Sequence, residues 1–75
     1  MKELVEVIAS ALVDNPSEVV VTETETDEGI VLSLTVAPDD MGKVIGKQGR
    51  IAKAIRVVMR AAAVRVGEKV MVEID

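Results

Sequence analysis

Two glycines three positions apart, Gly46 and Gly49, constrain this chain more than any other feature, because they separate two runs whose apolar residues recur at helical spacing. A chain built this way must turn one helix sharply into another, and glycines permit the backbone angles and close approaches that such a corner needs. Before the corner, Met41, Val44 and Ile45 belong to a short helix, for which Pro38-Asp39-Asp40 offers a capping carboxylate and which is expected to stop at Gly46. After it, Ile51, Ala54, Ile55, Val58 and Ala62 share one face of a longer helix, with Arg50, Lys53, Arg56 and Arg60 on the other side of the cylinder. That helix runs to about Val66 and Gly67 closes it.

The rest of the chain supplies a first helix and three strands. Leu4, Val5, Ile8, Ala11 and Leu12 recur at helical spacing until Asp14-Asn15-Pro16 ends the run. Ser17 to Glu25 reads as a strand rich in Val and Thr, and Thr26-Asp27-Glu28-Gly29 as a turn. Ile30, Leu32, Leu34 and Val36 alternate in a second strand, and Val70, Val72 and Ile74 in a last one. A strand reached through a helical crossover lies parallel to the one it left. The expected fold is therefore α+β, in the order helix-strand-strand-helix-helix-strand: a three-stranded mixed sheet with helices packed on one face. No repeat or linker divides the chain, so residues 1–75 read as a single domain.

The formal charge of -4 argues against a polyanionic partner until its distribution is considered. Between Met41 and Gly67 stand Lys43, Lys47, Arg50, Lys53, Arg56, Arg60 and Arg65 with no acid, a segment charge of +7 against -11 for the remainder. A merely solvated helix mixes signs, and this one does not.

Phe, Tyr and Trp are all absent, so the core is aliphatic. Proteins that stack bases on aromatic rings, as the RRM, OB-fold and cold-shock families do, are excluded. Cys and His are absent too. That removes disulfides, thiolate or imidazole metal ligands and the commonest nucleophile and general base, so the chain reads as a non-enzyme without cofactor or metal. Gly42-Lys43-Val44-Ile45-Gly46-Lys47 is no P-loop, since three residues rather than four separate its glycines and Gln48 follows the lysine. Glu23, Glu25, Asp27 and Glu28 read as a solvated hairpin end that discourages edge pairing, rather than as a metal site. Acids within the first residues argue against a signal peptide, and no apolar run is long enough to span a bilayer. The expected location is the cytoplasm, with no membrane partner.

The chemistry centres on the glycine corner. Gly49 and Arg50 open a helix whose unpaired N–H groups and positive dipole end favour phosphate, and Lys47, Arg50 and Lys53 add formal charge beside it. Val44, Ile45 and Ile51 are expected to form one apolar wall of a groove and the second strand its opposite wall. Unstacked bases can lie against such aliphatic walls, so no aromatic residue is required. The candidate RNA-binding set is Lys43, Val44, Ile45, Gly46, Lys47, Gln48, Gly49, Arg50 and Lys53.

Val44-Ile45-Gly46-Lys47-Gln48-Gly49-Arg50 resembles the GxxG signature of KH domains, in its expected setting of an apolar helix before, a basic helix after and a strand on either side. The element order resembles the type II, bacterial version of the KH fold, and the likeness covers essentially the whole chain. Length, acidic hairpin and the run Gly42 to Arg56 are most similar to small stand-alone bacterial KH proteins.

The resemblance implies a cytoplasmic RNA chaperone or post-transcriptional regulator that binds single-stranded RNA. It also implies a homodimer, and pairing with a larger KH-containing protein. By the same resemblance Gly46 and Gly49 shape the loop, Lys47 and Gln48 meet the RNA backbone and Ile45 lines the groove. Arg50 and Lys53 are added on electrostatic grounds. Where KH sequences commonly place Ile, three residues after the second glycine, this chain has Ala52, with its isoleucine one place earlier at Ile51. The competing reading is a protein-interaction or dimerisation module whose basic helix or open sheet face docks another protein, with RNA binding incidental.

Overall fold

The computed structural model describes residues 1–74 and, at Lys47 and Gln48, the backbone alone. In chain order it contains α1 (Lys2–Leu12), a 3-10 turn (Pro16–Glu18), β1 (Val20–Thr26), β2 (Gly29–Thr35), α2 (Pro38–Val66) and β3 (Val70–Ile74). β2 is the central strand, paired antiparallel with β1 and parallel with β3. This is the expected mixed sheet. Ile30, Leu32 and Leu34 of β2 point into the core and meet Val5 and Ala9 of α1 and Ile55 and Met59 of α2, so both helices cover one sheet face. Leu32 and Leu34 are fully buried, each contributing roughly 1.5–3 kcal/mol of hydrophobic stabilisation.

Several boundaries and faces differ from expectation. α1 buries Val5 and Ala9, while Leu4 and Leu12 remain 37% and 42% exposed. More positions on this helix are apolar than one face can hold, and packing against β1 and α2 selects the stripe that passes through the small Ala9. β1 begins at Val20 rather than Ser17, because Pro16 opens a 3-10 turn in which the Glu18 N–H donates to the Asn15 carbonyl at 3.1 Å. The two expected central helices form one continuous helical span, without a stop at Gly46. Their junction lies at Gly49, whose φ of 66° is left-handed and interrupts right-handed helical geometry. Beyond it Ala52, Ile55, Met59 and Ala63 are buried, whereas Val58 is 39% exposed and Ala54 is exposed. The buried face is thus turned from the expected one: of the expected residues Ile55 is fully buried and Ile51 packs against the core partly buried.

The capping carboxylate expected from Pro38-Asp39-Asp40 is not supplied, since no side chain caps α2, and Asp40 is used elsewhere. Its carboxylate, 1% exposed, reaches instead to the end of α1. It accepts the backbone N–H groups of Asp14 and Asn15, each at 3.0 Å, and the Asn15 side-chain amide at 3.1 Å. Desolvation by itself raises this carboxyl, but the donors from Asp14 and Asn15, helped by the charge of Lys43, outweigh it and hold the pKa below the ordinary value of 3.8.

A depressed carboxylate contributes stability that is present above its unfolded pKa and lost as pH falls through the folded value. Asp40→Ala is therefore expected to lower the melting temperature by several degrees at pH 7, with the gap to the native chain closing below about pH 4. Thermal unfolding followed by circular dichroism across that pH range checks this. A gap that stays constant with pH would remove the carboxylate from the account.

Candidate nucleic-acid interface

The C-terminal half of α2 runs antiparallel to β3, and a groove follows the seam between them. At the Gly49 end a cavity of about 260 Å³ is lined by Ile45, Gly49, Ala52, Lys53, Arg56 and Ile74. Ile45, 56% exposed, presents apolar surface to this cavity. Ala52, 6% exposed, forms the floor. A residue as large as isoleucine there would occupy part of the cavity, so the departure noted at this position deepens the groove. Lys53 and Arg56 stand on the α2 side, one turn apart by their spacing of three residues.

Sequence reasoning finds part of this site and misplaces part of it. The structure brings Ile45, Gly49 and Lys53 together in the groove, with Gly46 half-buried in the preceding turn. Val44 is fully buried in the core, so it does not form the groove wall. Ile51 also packs against the core rather than lining the groove. Lys43 stands two residues from Ile45, hence on another side of the helix, and its ammonium pairs with the Asp14 carboxylate at 2.8 Å. The Asp14 hydrogen bond, working against desolvation and aided by the charges of Asp14 and Asp40, raises its pKa. Arg50 is exposed next to Gly49 but lines no wall of the cavity. The side chains of Lys47 and Gln48 lie outside the described residues.

The wall opposite α2 is β3, not the second strand. β2 is sandwiched between its two partners, so only the edge strand can present a free flank to the helix. Ile74 was missed for that reason, and Arg56 because the candidate set stops at Lys53. Arg56 could have been found by extending the basic helical face from Lys53 by one turn, whereas nothing in the local sequence places Ile74 beside Ile45. Electrostatically the groove is one-signed at this end, since its charged lining residues are Lys53 and Arg56. No group of three potential metal ligands occurs among the described residues. The arrangement suits an extended anionic ligand with flat apolar parts: phosphates at the basic helix, bases against Ile45, Ala52 and Ile74.

Comparison with known proteins gives the same direction. The family model described as KhpA/KhpB, KH domain, matches residues 2–74. A Clostridium perfringens protein named RNA-binding protein KhpA is 64% identical over 74 residues, covering 99% of each chain. The protein of the same name from Clostridium acetobutylicum is 62% identical with the same coverage, and that of Aquifex aeolicus is 47% identical over 99% of this chain and 94% of its own. No solved structure matches. With a family match across the whole described fold, full-length relatives and a helical junction at the second glycine of GxxG, this chain belongs to the KhpA/KhpB KH-domain family, in the type II KH fold.

Proposed function

We propose that residues 1–75 act as one KH module that binds single-stranded RNA along the α2–β3 groove, with Gly46, Lys47, Gln48 and Gly49 against the RNA backbone. The observation that carries this is the coincidence of an apolar groove with a one-signed basic wall, ending at the left-handed turn of Gly49. The names of the relatives support it. A Cβ at Gly46 would meet nothing within 4 Å, so internal packing does not demand glycine there, and close approach by a ligand backbone supplies a reason for it.

Titration of a labelled short single-stranded RNA, read by fluorescence anisotropy at several salt concentrations, tests the reading. Neutralising about four phosphates predicts a log-log slope of roughly -3. A slope near zero would transfer the groove to a protein partner.

The same reading extends to an RNA chaperone or post-transcriptional regulator in the cytoplasm, without enzymatic activity of its own. Among the described residues no helix is long and apolar enough to cross a membrane. Self-association and pairing with a larger KH-containing protein are part of the proposal. Val7, Val57 and Val64, 66%, 62% and 78% exposed, offer apolar surface for such contacts. Sedimentation at micromolar to millimolar concentration is expected to show a dimer, and a monomer throughout would remove this part.

A further inference from the structure

Beyond Arg56 the groove widens into a second cavity of about 470 Å³, between the last turns of α2 and the edge of β3. That volume lies in the range of small-ligand sites. Met59, Ala63 and Val72 give it an apolar floor, and Arg60 and Lys69 contribute positive charge at its rim. One acid, Glu68, lines it as well, and it is the only acid lining either cavity.

Glu68 is held in place although it lies between elements. Gly67, at φ 69°, closes α2, and the Glu68 N–H donates to the Ala63 carbonyl at 3.0 Å in the manner of a Schellman motif. One residue later the Lys69 carbonyl accepts the Ile30 N–H at 2.8 Å, which fastens the connection to β2. Both flanks of Glu68 are thus anchored at the backbone, and the residue itself lines the cavity. Among the described residues it takes part in no ion pair.

Arg56, Arg60 and Lys69 line the same cavity and favour a carboxylate there, but two other features of Glu68 do not. It follows the C-terminus of a long helix, where the dipole disfavours negative charge. It also stands in a groove otherwise suited to phosphate, so it opposes the net attraction of the site. A carboxylate in that position can accept hydrogen bonds from a ligand that presents donors to it.

We propose that Glu68 selects guanine in this second cavity, its two carboxylate oxygens accepting the N1–H and N2–H of the Watson–Crick edge. Guanine alone among the four bases offers two adjacent N–H donors there. Adenine and cytosine offer one amino group beside an acceptor, and the uracil N3–H lies between two carbonyl oxygens that repel a carboxylate. The floor of Met59, Ala63 and Val72 receives the base plane. This selection rests on the RNA-binding reading above and deepens it.

The test uses RNAs of about eight nucleotides, all uridine except for one guanosine moved along the strand, with adenosine, cytidine and inosine in the preferred place. Inosine keeps the O6, N7 and N1–H of guanosine and lacks the N2 amino group. The native chain is expected to bind the best guanosine RNA about ten-fold tighter than the all-uridine strand, with inosine losing most of that advantage. Glu68→Gln, whose amide presents a donor where guanine needs an acceptor, is expected to bind all these RNAs within about two-fold of one another. It should bind the all-uridine strand at least as tightly as the native chain does.

Equal gains for every RNA in Glu68→Gln would mean that Glu68 acts only by repulsion, and would overturn the selection while leaving RNA binding intact. So would a guanosine preference that inosine satisfies in full, because the cationic rim would then be reading O6 and N7. Failure of the native chain to bind any of the strands at low salt would overturn the RNA-binding reading itself.

Discussion

Replacing Gly29 with alanine is expected to destabilise the fold by roughly 3 kcal/mol, combining backbone strain with a steric clash. Gly29 has φ 127°, a conformation that L side chains rarely adopt, and a Cβ built on it would collide with the Lys69 carbonyl oxygen and stand 3.0 Å from its carbon. The obstacle is backbone, not the end of a flexible side chain. It cannot withdraw without breaking the bond from the Ile30 N–H that starts the parallel pairing of β2 with β3. For a domain of this size the whole stability is on the order of 4–11 kcal/mol, so the loss is a large fraction of it. Urea unfolding monitored by circular dichroism measures the effect, and a chain without a folded baseline at zero urea also meets the expectation. Gly46→Ala is the control: with open space at the site and no positive φ, it is expected to stay within about 1 kcal/mol of the native chain. If Gly29→Ala were equally mild, the docking of residues 67–69 onto the hairpin would have no role in stability.

The double substitution Lys47→Asp, Gln48→Asp is expected to weaken binding of a short single-stranded RNA at least about thirty-fold at low salt. It removes one charge-assisted phosphate contact and sets two carboxylates against the RNA backbone. Both positions lie between the glycines, at the end of the groove where Lys53 and Arg56 concentrate positive charge. Neither change touches the buried cluster of Leu32, Leu34, Ile55 and Met59, so circular dichroism should still report a folded chain. Anisotropy on the folded variant then separates the two readings of the module. Loss of binding assigns the RNA backbone to the glycine corner. Unchanged binding would mean that RNA is held elsewhere and that the corner serves a protein contact.

These two experiments probe the glycine corner within α2 and the connection that follows it, and different kinds of information. The GxxG corner is legible in the sequence because its meaning is local: two glycines, the cations around them and the helical runs on either side. Gly29 is read from the sequence only as a turn residue. Its close approach to Lys69, forty positions away, appears when the parallel strand is docked.

Local sequence alone determines the order of helical and strand segments apart from the joining of the two central helices into α2, the alternation of Ile30, Leu32 and Leu34, the antiparallel hairpin and the closure of α2 at Gly67, because each depends on neighbours a few residues apart. Net charge by segment likewise singles out the basic stretch from Met41 to Gly67. Which of two overlapping apolar stripes faces inward is another matter. On α1 and on α2 both stripes satisfy helical spacing, and only contact with β1, β3 and the opposite helix chooses Val5-Ala9 and Ala52-Ile55-Met59-Ala63. The same packing takes Val44 and Ile51 out of the groove and supplies Ile74 as its far wall. Asp40, one of two carboxylates offered as a helix cap, becomes the acceptor that ties the end of α1 to the start of α2. Local spacing carries the periodic part of a fold, whereas a groove between a helix and an edge strand is made of residues that meet only when the chain has closed on itself.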